Sequence, residues 1–248
     1  MSGRGEGADV DEKRAGPVYG KGEGADFDPF AGGYESFHQQ SIAISGEDST
    51  YFADYKLACL ERLVGAGFDQ PVLDFGCGIG VLTERLARRF SSVHGHDPSR
   101  ESLKLARSRA PSAVFHEQRA DIPQGHFGLA VLANVLHHVE PEKRKGLVGE
   151  VARKLLPGSG RLVIFEHNPL NPLTRLAVSR CQFDVGVKLL SPPEVRRLLR
   201  RNAFSDIALN FIVFFPRFLA SLRPAEPHLR WLPLGAQVMA VGTAAPDA

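Results

Sequence analysis

The ten residues Pro71 to Gly80, Pro-Val-Leu-Asp-Phe-Gly-Cys-Gly-Ile-Gly, limit what this chain can fold into more than any other stretch. Val72, Leu73 and Phe75 make a short β-prone apolar run that ends in glycines, and Val81 to Phe90 reads as helix. Strand, glycine turn and helix in succession let backbone approach a nucleotide-like ligand closely, because Gly76, Gly78 and Gly80 put no side chain in the way. A dinucleotide fingerprint, G-x-G-x-x-G, requires a third glycine where Val81 stands; the spacing here is G-x-G-x-G. Asp74 lies just ahead of the glycines, where a carboxylate repels a pyrophosphate and attracts an ammonium group. The implied ligand carries an amino acid rather than a second nucleotide.

Strand-like and helix-like segments then alternate. Ser92 to His96 is a second strand ending at Asp97-Pro98, and Leu103, Leu105 and Ala106 belong to the helix after it. Ala113 to Phe115 is a third strand, followed by the loop Ala120-Asp121-Ile122-Pro123. Leu129 to Val135 is almost wholly apolar, as a strand covered on both faces should be. Pro141 opens a helix closed by Pro157-Gly158, and Arg161 to Phe165 is a fifth strand. Such repetition predicts an α/β fold with a doubly wound, mostly parallel sheet, right-handed crossovers and helices on both faces. Asn168-Pro169 and Asn171-Pro172 break the alternation, and Leu173 to Phe183 looks like an inserted helix. Ser191-Pro-Pro starts another helix, Ile207 to Phe215 is a long β-prone run, and Gln237 to Gly242 is a last short strand. Insertions are therefore expected after strands five and six.

Before this core, residues 1–26 are rich in Gly, Asp, Glu and Lys and read as a disordered leader. Residues 27–248 form a single domain in this reading, with 27–50 as an N-terminal lid segment carrying Phe27, Phe30, Tyr34, Phe37 and His38. Ser45-Gly-Glu-Asp48 looks like a capping box for a helix bearing Phe52, Leu57, Leu60 and Leu63. The chain has 248 residues and a net charge of +2, so neither disorder throughout nor bulk nucleic-acid binding is indicated. From Gly160 onward 11 Lys/Arg stand against 6 Asp/Glu, a local excess that reads first as solvated surface. Cys59, Cys77 and Cys181 lack C-x-x-C spacing, which argues against a disulfide framework or a zinc site and fits a reducing cytoplasm, and no metal site is expected. No apolar stretch approaches the length of a membrane span.

Further polar positions fall at the carboxyl ends of strands, where open α/β sheets bind ligands. Asp97 can accept two hydrogen bonds from ribose hydroxyls, Asp121 can accept from an exocyclic adenine amine with Ile122 against the ring, and Asn134 lies beside the crevice. With these in place the sequence resembles class I S-adenosylmethionine-dependent methyltransferases, best over Tyr51 to Glu166. The signatures are Val-Leu-Asp-Phe-Gly-Cys-Gly-Ile-Gly, the Asp97 strand end, Ala120-Asp121, Asn134-Val-Leu-His-His-Val139 and Leu156-Pro-Gly. It is most similar to the small-molecule branch that includes ubiquinone and menaquinone methyltransferases. The resemblance implies a seven-stranded sheet whose last strand, Gln237 to Gly242, is antiparallel. It implies S-adenosylmethionine as cofactor, with S-adenosylhomocysteine as product. Asp74, Gly76, Cys77, Gly78 and Gly80 would hold the methionine part, Asp97 and Pro98 the ribose, and Ala120, Asp121 and Ile122 the adenine, with Asn134 and Val135 beside them.

Transfer from a sulfonium asks the protein chiefly to position the acceptor and remove its proton. His137, His138, Glu166 and His167 are the candidate bases, all expected just beyond the fourth and fifth strands, with His167 on the acceptor side. The acceptor site should come from residues 27–50, 167–190 and 216–234. Phe211, Phe214, Phe215, Phe218 and Trp231 predict an apolar or aromatic acceptor, and Arg175 and Arg180 an acidic one if they meet it. Asn134-Val-Leu-His stands where nucleic-acid amine methyltransferases carry Asn/Asp-Pro-Pro-Tyr/Phe, so a small molecule is expected rather than nucleic acid. A cofactor-binding member without catalysis, a macromolecular acceptor and a nucleotide-cofactor dehydrogenase are the competing readings.

Overall fold

A computed structural model describes residues 45–246 apart from 182, 183 and 185. The leader and all of the lid segment before Ser45 fall outside the described residues. The first helix, α1 (Ser49–Val64), starts at Asp48, whose side chain accepts from Tyr51 N, and stops at Gly65 with φ 80°. Asp48 is thus the N-cap itself, rather than the third helical position of a box begun by Ser45.

Seven strands form one sheet: β1 (Val72–Phe75), β2 (Val93–His96), β3 (Val114–His116), β4 (Leu129–Ala133), β5 (Arg161–His167), β6 (Ser205–Ile212) and β7 (Gln237–Thr243). Their order is β3-β2-β1-β4-β5-β7-β6; β1 to β5 are parallel, and β7 runs antiparallel between β5 and β6. The expected fold class holds. The direction of winding reverses between β1 and β4, the switch point at which such sheets open a crevice.

The other helices are α2 (Val81–Arg89), α3 (Arg100–Arg109), α4 (Pro141–Ala152), α5 (Pro172–Arg180) and α6 (Pro192–Arg201). Ser99 and Asn171 cap α3 and α5 by accepting from Ser102 N and Thr174 N. Ser191 and Glu194 form a reciprocal box at α6, with prolines in its first turn.

Alternate residues of each strand point to opposite faces. Val72, Leu129, Val131, Val163 and Phe165 pack with Ala53 and Leu60 of α1 and Leu82 and Leu86 of α2. Leu73, Phe75, Ala130, Leu132, Leu162 and Ile164 pack on the other face with Leu147, Val148 and Val151 of α4 and Val195 and Leu199 of α6. Two cores therefore clamp one sheet, and its C-terminal edge is left for polar chemistry.

Several boundaries differ from the sequence reading: β6 runs from Ser205 to Ile212 rather than Ile207 to Phe215, the inserted helix runs from Pro172 to Arg180, and two further differences bear on the site. β4 ends at Ala133 because Asn134 turns to φ 59°. β5 runs on through Glu166 and His167, which pair with Val238 and Gln237 of β7, so both lie in the strand rather than beyond it.

Candidate active site

The loop from β1 to α2 is set by its neighbour. Gly76 N and Cys77 N both donate to His96 O at the end of β2, at 2.7 and 2.9 Å, and Gly78 N donates to Asp97 Oδ2 at 2.9 Å. Asp97 Oδ1 accepts from Ser99 N at 3.0 Å. Gly76, Gly78 and Gly80 all have positive φ. A Cβ on Gly80 would sit 2.8 Å from Ala106 Cα, so that glycine serves helix packing. A Cβ on Gly78 would meet nothing within 4 Å, so its backbone faces open space that a ligand can enter.

That space belongs to a cavity of about 230 Å³ running from Asp74, Gly76, Cys77 and Gly78 past Ala133 and Asn134 to His167. Asp74 is buried; Thr83 Oγ1 donates to its Oδ2 at 2.7 Å. Burial and the charge of Asp97 raise the Asp74 pKa to about 6, against the opposing pull of the Thr83 bond. Asn134 Oδ1 and Gln237 Oε1 are buried without a hydrogen-bond partner. Cys77 is buried and its thiol is pushed well up by burial, so it fills the loop and does not ionise.

Lys56 is a cavity residue that the sequence reading missed. It shares the inward stripe of α1 with Ala53 and Leu60, sits 5.8 Å from the Phe165 ring centroid, and is buried. Burial lowers its pKa to about 8, with Cys59, Asp74 and Glu166 pulling the other way. The only sequence signal was its position three residues after Ala53 on an otherwise apolar stripe.

The roof is a long-range assembly. Glu226 is buried; its Oε1 accepts from Phe214 N and Phe215 N at 3.0 Å each, and its Oε2 accepts from Tyr55 Oη at 2.5 Å. Arg223 pairs with Glu47 and covers the Tyr51 ring. Tyr51, Phe52, Phe214 and Phe215 thereby line the cavity, whereas Phe218 and Trp231 are 80% and 74% exposed and do not. Arg175 and Arg180 of α5 are also exposed and off the cavity.

The histidines divide. Leu136–His138 is a short 3-10 turn after β4. Glu166 Oε1 accepts from Leu136 N at 2.7 Å, and Glu166 Oε2 lies 2.6 Å from His137 Nδ1. His137 Nε2 faces Asp184 Oδ1 at 3.4 Å. Burial opposes a charge on His137, but Glu166 and Asp184 outweigh it and raise its pKa to about 9. A cation between two carboxylates is poorly suited to take a proton at neutral pH. Burial and the neighbouring His137 lower His138 to about 3 and His167 to about 4. His167 is the only one of the four candidate bases on the cavity wall, its ring 5.2 Å from that of His137.

Toward the other edge of the sheet, Asp97 is buried and Pro98 half-buried. Asp121 closes the 3-10 turn Arg119–Asp121; it and Ala120 are exposed on the rim. Buried Lys154 fixes this turn, donating from Nζ to Arg119 O at 3.0 Å and Ile122 O at 2.7 Å. Ile122 is 1% exposed within the core, and Val135 packs against Gly76.

Residues 72–158 match a methyltransferase domain family. A ubiquinone biosynthesis O-methyltransferase of Idiomarina loihiensis is 28% identical over 178 residues, 65% of this chain and 72% of that one. A second protein of that name, from Alkalilimnicola ehrlichii, is 34% identical over 131 residues, half of each chain. A SAM-dependent methyltransferase from Archaeoglobus fulgidus superposes with a TM-score of 0.65 at 16% identity, covering 85% of this chain and 99% of that one. A magnesium protoporphyrin IX methyltransferase from Synechocystis, solved with bound SAH, superposes with a TM-score of 0.61 at 17% identity, covering 88% and 96%. The domain match and these relatives support an S-adenosylmethionine-dependent methyltransferase with S-adenosylmethionine as its cofactor, and the superposed structures show the fold of the class I enzymes. Within that class the chain resembles the ubiquinone-biosynthesis O-methyltransferases.

Proposed function

We propose that the protein methylates a small apolar or aromatic acceptor whose reacting atom is presented beside His167. The observation that carries this reading is one cavity that joins the glycine loop to His167 under an aromatic roof. The cofactor supplies a methyl group already activated on sulfur, so the chain's task is to bind, orient and keep water out.

The sheet order sets the cofactor's direction. Asp121, Asp97 and Asn134 come after β3, β2 and β4, and Asp74 and His167 stand near the carboxyl ends of β1 and β5; the strands neighbour one another in the order β3, β2, β1, β4, β5, about 4.8 Å apart. Adenine near Ala120 and Asp121, ribose at Asp97 and Pro98, and the methionine part at Asp74 and the Gly76–Gly80 loop fit an extended nucleoside–amino acid across that edge. The methionine part carries an ammonium and a carboxylate; Asp74 and Lys56 offer the opposite charges. Asn134 Oδ1, otherwise unpartnered, accepts from the ammonium in this arrangement.

Residues 45–50, 167–190 and 216–234 form the acceptor side. Arg175 and Arg180 are exposed and off the cavity, so neither is assigned a part in selecting the acceptor. Three free cysteines suit a cytoplasmic setting, and no helix among the described residues is long and apolar enough to cross a membrane.

Calorimetric titration with S-adenosylmethionine and S-adenosylhomocysteine, followed by mass-spectrometric screening of apolar and phenolic acceptors, tests the proposal. Cofactor binding with an acceptor gain of about 14 Da, one CH2, is expected. Absence of cofactor binding, or methylation confined to nucleic acid or protein, overturns it.

A further inference from the structure

We infer that a divalent metal ion of the zinc type binds among His137, His167 and Asp184 and takes a further ligand from an acceptor hydroxyl. This rests on the acceptor-side reading above. The three residues arrive from separate elements: the turn after β4, the end of β5 and the loop after α5. Each offers one ligand atom, and those atoms all lie within 4.8 Å of one another.

The second partner of His137 is the detail that points to a ligand. Its Nδ1 is fixed on Glu166 Oε2 at 2.6 Å, so an ion that displaces the Nε2 proton meets that nitrogen on the side of Asp184. A carboxylate behind the remote ring nitrogen is how metal-binding histidines are oriented. Glu166 is itself held by Leu136 N at 2.7 Å.

Spacing supports the same reading. His137 Nε2 stands 3.4 Å from Asp184 Oδ1. A charge-assisted hydrogen bond would draw such a pair to about 2.7–2.9 Å. Two ligands on a tetrahedral ion with bonds of about 2.05 Å lie about 3.3 Å apart.

The loop that carries Asp184 is tied to the histidine turn. Buried Arg144 donates from Nε to Val139 O at 2.9 Å and from Nη2 to Lys188 O at 2.6 Å, and Asp184 N donates to Cys181 O at 3.1 Å.

Two imidazoles and one carboxylate suit zinc and leave a coordination position open, the pattern of catalytic rather than structural sites. His167 belongs to both the cluster and the cavity wall, so the open position faces the acceptor. An alcohol or phenol bound there through oxygen loses its O–H proton to solvent more readily, because the cation stabilises the oxyanion. The acceptor class is therefore one with a free hydroxyl.

The test uses the full chain without a histidine tag. Equilibrium dialysis against Zn²⁺ with elemental analysis should find about one equivalent, and Co²⁺ should give visible absorption bands of a low-coordinate site. Asp184→Asn, nearly isosteric, and His137→Ala should each weaken binding at least tenfold, and Glu166→Gln by about 10–100-fold. Exposed His126→Ala should not. Circular dichroism of each variant guards against unfolding. Substoichiometric Zn²⁺ in the wild type, or binding that survives both Asp184→Asn and His137→Ala, overturns the site. Cofactor titrations on the same samples separate the two readings: intact cofactor binding and turnover without bound metal overturn the metal site alone. Bound metal without cofactor binding overturns the proposed function and leaves the metal site standing.

Discussion

Along the C-terminal edge of the sheet, the half of the cavity at β1 and the half at β5 are held in different ways. At β1 the polar groups come from one short run of sequence, and β2, its neighbour in both chain and sheet, supplies His96 O and Asp97 to fix the loop. At β5 the lining comes from α1, α5 and the residues after β6, and its roof is brought together across 171 residues in the case of Tyr55 and Glu226. Local chemistry builds the first half; long-range packing builds the second. Changes in the first should therefore act on cofactor affinity, and changes in the second on turnover or on stability.

His167→Ala should show the largest effect, a fall in turnover of about 10²–10⁴-fold with cofactor affinity unchanged. Steady-state kinetics beside calorimetry would check it, and undiminished turnover would remove His167 from the chemistry. Glu226→Ala strands Tyr55 Oη and two backbone N–H groups, at a cost of about 3 kcal/mol. Thermal unfolding should drop by about 6–12 °C, while the glycine-loop half keeps its cofactor affinity. An unmoved midpoint would mean that the roof is not held through this carboxylate. Asp97→Ala should weaken cofactor binding by about 1.5–3 kcal/mol; if calorimetry finds no change, the ribose assignment fails.

Smaller still is a pH effect. The Asp74 pKa is raised to about 6, and only the ionised form attracts the cofactor's ammonium. Affinity should be about tenfold lower at pH 5 than at pH 7, close to 1.4 kcal/mol. For the free protein the sign reverses. A raised carboxyl pKa favours the folded state fully below the ordinary carboxylate range, and that contribution is lost as pH rises through about 6. A flat affinity profile from pH 5 to 7 would place the ammonium elsewhere. Arg175→Ala, an exposed change outside both halves, should alter stability by no more than about 0.5 kcal/mol and leave turnover intact.

The same division governs what could be read in advance. Asp74, the three glycines and Asp97 announce themselves because strand, turn and strand end are adjacent in sequence and each residue type has one local reason to be there. Lys56 does not, because its burial is decided by Phe165 on a strand more than a hundred positions away. The His137, His167 and Asp184 cluster has no short spacing to betray it. The sequence puts Glu166 and His167 beyond β5 because nothing local reveals that β7 pairs with them and extends the ladder. Ile122 follows Asp121 in the loop, and tertiary packing draws its side chain into the core.

The position of β7 also sets the order in which the molecule can be completed. It lies between β5 and β6, yet it comes after both in the chain. While the polypeptide emerges during synthesis, β1 to β5 have all their sheet partners on the glycine-loop side early. Glu166, His167 and Gln237 come into register only when the last strand threads in beside β5. A nascent chain can thus shape a cofactor cradle well before it has an acceptor wall, and closing the second half is the high-contact-order step expected to limit folding.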